Sequence, residues 1–72
     1  MPGLRAVVIR FFNDVHPTVH LDYPTQEDID QLLYDFGDAY SIHLDHIDSS
    51  EGIVYYIAYL NRTELEYSEA LS

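Results

Sequence analysis

The chain has 72 residues with thirteen Asp and Glu, three Arg and no Lys, which gives a formal net charge of −10. This excess of negative charge argues against direct binding to nucleic acid or anionic membranes, because both require cationic side chains that meet phosphates. The absence of cysteine excludes disulfides and thiolate metal sites. With 47% hydrophobic residues the chain is too apolar for a disordered tail, and we expect one folded domain over residues 1–72.

The few positive charges are unevenly placed. Arg5 and Arg10 lie in the first ten residues, whereas residues 11–72 carry all thirteen acidic side chains against Arg62 alone. The apolar run MPGLRAVVIRFF is interrupted by these arginines, is too short for a membrane span and lacks a small-residue cleavage site. We therefore expect a soluble, unprocessed protein of a reducing, cytoplasmic compartment.

Residues 4–12 are rich in β-branched and aromatic side chains and predict a first strand that ends in a turn at Asn13 and Asp14. In residues 19–23 apolar and polar side chains alternate, which predicts a second, half-buried strand. Pro17 argues against an earlier start for this strand.

A helix is predicted to begin after Thr25, with Thr25 as N-cap and Asp28 completing a capping box. Gly37 marks its end near Asp38. The apolar stripe of this helix consists of Ile29, Leu32, Leu33, Phe36 and Tyr40.

Residues 41–48 and 53–60 predict a second hairpin around the turn SSEG, and the latter strand is apolar on both faces, as a central strand would be. A C-terminal helix from residue 62 to about 71 is predicted from Asn61 and Glu64 as a capping box and from the staple pair Leu60 and Leu65.

The predicted order is ββαββα, or βαββα if the second strand is a loop. Either order indicates an α+β fold with a mainly antiparallel sheet of three or four strands and both helices on one face.

The triplet HLD occurs twice, and the alternation places His20 with Asp22, and His43 with Asp45, on the polar faces of two strands. The simplest interpretation is that these are the solvated faces of half-buried strands. If the two strands were adjacent, the four side chains could form a zinc-type cluster. We favour the first interpretation and predict no metal and no cofactor. His46 and Asp48 would be rim residues of the cluster in the second interpretation, and His16 is predicted to lie in a loop.

A catalytic triad of Ser41, His43 and Asp45 is disfavoured, because successive side chains on one strand face stand about 6.6 Å apart and project in parallel. The chain also has no cysteine nucleophile and no glycine-rich phosphate loop. The sequence therefore predicts a protein that is not an enzyme.

The first predicted helix carries five acidic side chains and no basic residue. Negative charge is favourable at a helix N-terminus, but Asp35 and Asp38 lie near the C-terminus, where it costs about 0.3 to 1 kcal/mol. A role in binding a cationic partner would explain them. The predicted partner-binding residues are Glu27, Asp28, Asp30, Asp35, Asp38, Asp45, Asp48, Glu51, Glu64, Glu66 and Glu69.

The spacing of these acids approximates a phosphate backbone. Glu27 and Asp38 are separated by roughly 16 Å along a helix that rises about 1.5 Å per residue. One DNA strand carries about five phosphates over that length.

In size, charge and predicted α+β plan the chain resembles the small acidic proteins, often encoded by phages and mobile elements, that inhibit DNA-handling machinery by imitating DNA. Anti-CRISPR proteins are the subset that it most resembles. The resemblance implies a stoichiometric inhibitor in the host cytoplasm that occupies the basic nucleic-acid channel of a host effector complex and competes with target duplex. Association would be fast and salt-sensitive.

A second hypothesis assigns function to the tyrosines of residues 53–60. Tyr55 and Tyr59 lie on one face of this strand and Tyr56 on the other. If both helices cover only one face of the sheet, the opposite face would expose tyrosines and aliphatic side chains as a contact surface for a partner protein or a second copy. The protein would then be an interaction or homodimerising module whose acidity serves solubility. Monomer and homodimer both remain open.

Overall fold

The computed structural model describes residues 4–60 and positions 66 and 69–71. Four strands and one long helix follow in the order ββαββ. Their bounds are β1 Ala6–Phe11, β2 Val19–Asp22, α1 Gln26–Gly37, β3 Ser41–Asp48 and β4 Ile53–Tyr59, with a short 3-10 turn at Phe12–Asp14. The predicted α+β class and the second strand are confirmed.

The four strands form one mixed sheet in the order β2-β1-β4-β3. The outer pairs are antiparallel and the central pair β1 and β4 is parallel, so the expectation of a mainly antiparallel sheet matches in part. Helix α1 connects β2 to β3, which run in the same direction at opposite edges. Because each edge strand is antiparallel to its inner neighbour, the two inner strands must run parallel to each other. The most apolar strands thereby occupy the centre.

The helix begins as the sequence predicts. Thr25 Oγ1 accepts a hydrogen bond from the Asp28 N–H at 3.2 Å, and the Asp28 carboxylate accepts one from the Thr25 N–H at 3.0 Å. This reciprocal capping box satisfies backbone donors that a helix start leaves without intrahelical partners. The helix ends at Gly37, with Asp38 as the C-cap.

The core lies between α1 and one face of the sheet. Val7 and Ile9 of β1 are its largest fully buried side chains, and Val54 and Ala58 of β4 complete its floor. Ile29 is the buried residue of α1. The rest of the predicted helical stripe packs onto this floor, namely Leu32, Leu33, Phe36 and Tyr40.

The turns also follow the sequence. Asn13 and Asp14 adopt positive φ angles of 58° and 53°, a conformation that Asn and Asp tolerate better than most residues. Gly52 has φ 70° and its N–H donates to the Asp48 carbonyl at 2.9 Å, which closes the β3–β4 turn. Tyr23, predicted as the end of the second strand, instead leaves it with φ 48°.

The predicted C-terminal helix, with its capping residues Asn61 and Glu64 and its staple residue Leu65, lies mostly outside the described residues. Positions 66 and 69–71 are helical and exposed. Within the described part of the chain, α1 is therefore the helix shown on a sheet face, and none of the helices there has the length and apolarity that crossing a membrane requires.

Candidate functional site

The most strongly charged surface is the outer side of α1. All five of its predicted partner-binding residues are exposed, namely Glu27, Asp28, Asp30, Asp35 and Asp38. Asp30 accepts a hydrogen bond from Gln26 Nε2 at 2.9 Å and Asp35 accepts one from Gln31 Nε2 at 2.8 Å. These amide partners are neutral, so they orient the carboxylates without cancelling their charge. We refer to these five residues as the α1 acidic surface.

Three predicted partner-binding residues outside α1 have hydrogen-bond or ion-pair partners of their own. Glu51 forms a salt bridge with Arg5 at 2.6 Å, so its charge is matched. Asp48 accepts hydrogen bonds from Ser50 Oγ at 2.8 Å and from the Glu51 N–H at 3.2 Å. These bonds, first that from Ser50, hold the pKa of Asp48 below its ordinary value, so Asp48 shapes the β3–β4 turn. Asp45 accepts a hydrogen bond from His46 Nδ1 at 2.8 Å.

The eleven predicted partner-binding residues therefore do not form one equivalent set. Within residues 4–60, no arginine lies within ion-pair distance of the α1 acidic surface, whereas Glu51 is paired. Glu66 and Glu69 are exposed, and Glu64 lies outside the described residues. Within residues 4–60 only Glu51 has an arginine partner, and the helix differs from the other acidic positions because it presents five exposed carboxylates on one element.

The two HLD triplets lie on opposite edges of the sheet. β2 carries His20 and Asp22, β3 carries His43 and Asp45, and β1 and β4 separate them. Three strand spacings correspond to about 14 Å. The considered zinc-type cluster of these four side chains is therefore wrong, because the parallel centre of the sheet holds the edge strands apart. Among residues 4–60, 66 and 69–71, no three His, Asp or Glu side chains are grouped so that they could hold a metal ion.

A β-bulge between Leu44 and His46 changes which residues share a face of β3. The regular alternation predicts Asp45 beside His43, but the bulge places His46 opposite Tyr55 on β4. The His46 ring stacks on Tyr55 with centroids 4.4 Å apart and planes 13° apart. No pattern in the sequence marks this bulge.

The serine and histidine of the disfavoured triad are closer than the sequence predicts. Ser41 Oγ and His43 Nε2 form a hydrogen bond of 2.9 Å, because side chains two apart on a strand can lean toward each other. Asp45 bonds to His46 instead of His43, so the three groups form no relay.

The tyrosines of β4 are less exposed than the interaction-module hypothesis requires. Tyr55 is half-buried, and Tyr59 is only 8% exposed, with its ring against those of Phe12 and His43. Among the described tyrosines, Tyr23 and Tyr34 are the exposed ones, at 75% and 77%. Rings of the 3-10 turn and of the edge strand β3 cover part of this face, so it presents less tyrosine surface than the hypothesis assumes.

His16 lies in a loop, as predicted. Leu44 lies on the α1 side of β3 but is 56% exposed, and Ile47 on the same side is 58% exposed. His16 lies within an aromatic cluster, with its ring 4.6 Å from Phe11, and its Nδ1–H donates to the Pro17 carbonyl at 2.7 Å. Helix α1 packs over β1 and β4 and leaves the outer strand β3 partly uncovered.

No protein-family model, curated protein or solved structure gives a significant match to this chain.

Proposed function

We propose that the protein is an acidic inhibitor that binds the basic nucleic-acid-binding surface of a host DNA-processing or CRISPR effector complex and thereby blocks target DNA. The observation that carries this proposal is the α1 acidic surface, whose five exposed carboxylates have no arginine partner among residues 4–60. A cationic cleft of the partner would provide the missing counter-charges.

The arrangement of the carboxylates supports mimicry better than a role in helix stability. Asp35 and Asp38 lie at the end of α1, where negative charge is unfavourable. Glu27 and Asp38 bracket roughly 16 Å of helix, a length over which one DNA strand presents about five phosphates. The density of negative charge along α1 is therefore comparable to that of one strand of the DNA with which the protein would compete.

Tyr34 gives the same surface a contact that is not purely electrostatic. It is 77% exposed and follows Glu27 by seven positions, which places the two residues on one side of the helix. An arginine that neutralises a carboxylate there could also stack on the Tyr34 ring. Tyrosine and arginine pairs of this kind are frequent energetic centres of protein interfaces.

The test begins with capture of a partner from host lysate by the wild-type chain. Affinity for that partner should fall steeply between about 50 and 200 mM salt, and excess target duplex should displace the inhibitor. The double variant Asp35→Asn/Asp38→Asn should bind more weakly, because it removes two charges from the α1 acidic surface.

The matched control is Asp14→Asn/Asp22→Asn, which removes the same charge from exposed positions outside α1. It should bind nearly as tightly as the wild type. Equal weakening by both pairs would show that only net charge matters, and a partner that duplex DNA fails to displace would overturn the proposal.

The second candidate function is a homodimerising or partner-binding module. The observation that favours it is the exposure of Leu44 and Ile47 on the same side of the edge strand β3. Burial of these side chains against another protein would contribute favourable hydrophobic energy that does not depend on salt. Binding or dimerisation that is insensitive to salt and lost in Leu44→Ser/Ile47→Ser would support this function over inhibition by mimicry.

A further inference from the structure

The sheet face opposite α1 contains a pocket that the acidic-inhibitor proposal does not use. Its volume is about 250 Å³. The residues that line it come from the loop before β2 and from the three strands β1, β3 and β4, namely Val8, Arg10, Thr18, Asp45, His46, Tyr55 and Tyr56.

The sheet register explains why these side chains converge. Val8 is opposite Tyr55 on the neighbouring parallel strand, and Tyr55 is opposite His46 on the edge strand. Arg10 follows Val8 on the same face, since alternate residues of a strand point to the same side. The floor of the pocket is therefore apolar and aromatic, with a guanidinium at one side and an imidazole at the other.

Arg10 is the cationic group of this pocket. It is exposed, and within residues 4–60 no carboxylate lies within 4 Å of its guanidinium. Arg5, in contrast, is paired to Glu51 at 2.6 Å. Arg10 is thus left available for an anionic ligand although the chain has a net charge of −10. A guanidinium presents its N–H groups as a planar fork that matches a carboxylate.

On the other side of the pocket, His46 and Asp45 limit the charge that a ligand can carry. His46 donates its Nδ1–H to Asp45 and stacks on Tyr55, so its ring orientation is held and its Nε2 is left for another contact. The Asp45 carboxylate would repel a second negative group placed near it. This disfavours dianionic phosphates and favours a ligand with one negative charge directed toward Arg10.

We infer that this pocket binds a small aromatic monocarboxylate, with its ring over Val8 beside Tyr55 and its carboxylate on the Arg10 guanidinium. The volume equals that of about eight liquid water molecules, which fits a benzoate-sized ligand. The site is on the face away from α1, so it neither requires nor excludes the proposed inhibition.

Titration of the full chain with sodium benzoate at constant ionic strength, followed by amide NMR, tests the inference. The amide signals of Val8, Arg10, His46 and Tyr55 should shift saturably. Benzamide and benzylamine provide size-matched neutral and cationic probes. Both should bind at least about tenfold more weakly, because they lack the charge-assisted bond to Arg10.

Benzylamine is the most demanding comparison, since a chain of net charge −10 attracts cations and repels anions in general. Preference for benzoate must therefore come from the pocket itself. If benzylamine shifts the same signals with equal affinity, or if benzoate produces no saturable shift, the inference is wrong.

Two arginine variants complete the test. Arg10→Met keeps the aliphatic stem and should weaken benzoate binding by about tenfold or more. Arg5→Met removes the same charge outside the pocket and should leave binding unchanged. Unchanged affinity in Arg10→Met would overturn the assignment, and the comparison of the three probes on the wild type tests it independently of how either variant folds.

Discussion

Asp28, Asp35 and Asp48 carry the same carboxylate, yet their neighbours give each a different role. Asp28 caps the start of α1, Asp48 holds the backbone of the β3–β4 turn, and Asp35 contacts only a neutral amide side chain. Acidic residues that bond to backbone N–H groups are explained by the fold. Those without such contacts, Asp35 among them, are the better candidates for binding a partner.

Replacement of Asp48 by Asn should lower stability at neutral pH, because the neutral amide accepts weaker hydrogen bonds from Ser50 and the Glu51 N–H. These bonds lower the pKa of Asp48 from 3.8. A carboxyl whose pKa is lower in the folded state stabilises the fold above its unfolded pKa, and the contribution disappears as pH falls through the folded pKa. Urea unfolding should show the variant's deficit near pH 7 and a smaller deficit at about pH 3.

An outcome in which the deficit of Asp48→Asn is equal at both pH values would contradict this account. Serine at position 50 offers an independent comparison, because Ser50→Ala removes the hydroxyl donor while it leaves the carboxylate charged. In a chain that already carries Ser50→Ala, the substitution Asp48→Asn should lower the free energy of unfolding by less than it does in the wild type.

The residues at the N-terminus of α1 stabilise the helix, whereas the acidic residues near its C-terminus destabilise it. Its N-terminus has a complete capping box and acidic residues in the first turn, whereas no basic residue lies in its last turn. Helix stability therefore disfavours the carboxylates at the end of α1, whereas the proposed partner binding would favour them. The position of the unfavourable charges is what connects the helix to the proposed partner.

Thr25→Ala should lower the free energy of unfolding by about 1 kcal/mol, since it removes the acceptor for the Asp28 N–H. Thr18→Ala is the matched control, because Thr18 is also exposed and caps no helix. Chemical unfolding followed by circular dichroism would measure both. Equal effects of the two substitutions would argue against the capping box as a source of stability.

Asp35→Asn/Asp38→Asn should have the opposite effect on the same helix. Removal of negative charge near the C-terminus should raise the free energy of unfolding by up to about 1 kcal/mol per site. The same pair should weaken partner binding. A variant that loses both binding and stability would instead indicate that these residues support the fold.

Local chemistry made the elements predictable from the sequence. Thr25 with Asp28 indicated the helix start, and the alternation around His20 and around His43 indicated the edge strands. The pairing of distant strands was not predictable, because no local signal states that β1 and β4 lie side by side. The bulge at Leu44 and His46 was missed for a related reason, since it depends on the fit of two strands and not on one.

At the scale of the whole molecule, the α1 acidic surface and the pocket with Arg10 and His46 lie on opposite sides of the sheet. The sequence predicted the amount of negative charge and its concentration on α1. It did not predict the pocket, because the four segments that line it meet only after the sheet has formed.

Self-repulsion among the acidic groups should make stability depend on salt. Between about 0.1 and 1 M NaCl the Debye length falls from about 10 to about 3 Å, so repulsion in the folded chain should weaken and the unfolding midpoint should rise. Thermal melts at both salt concentrations would measure this. Asp35→Asn/Asp38→Asn should show a smaller rise than the wild type, and an equal rise would assign the effect to other residues.

The parallel pairing of β1 with β4 also determines when the protein can fold during its synthesis. Ala6 pairs with Ile53, so the first strand must wait for the last one before its central hydrogen bonds can form. Contacts between such distant segments require closure of a long loop, which slows folding. All residues up to Tyr59 must therefore be translated and must have left the ribosome before the hydrophobic core can form.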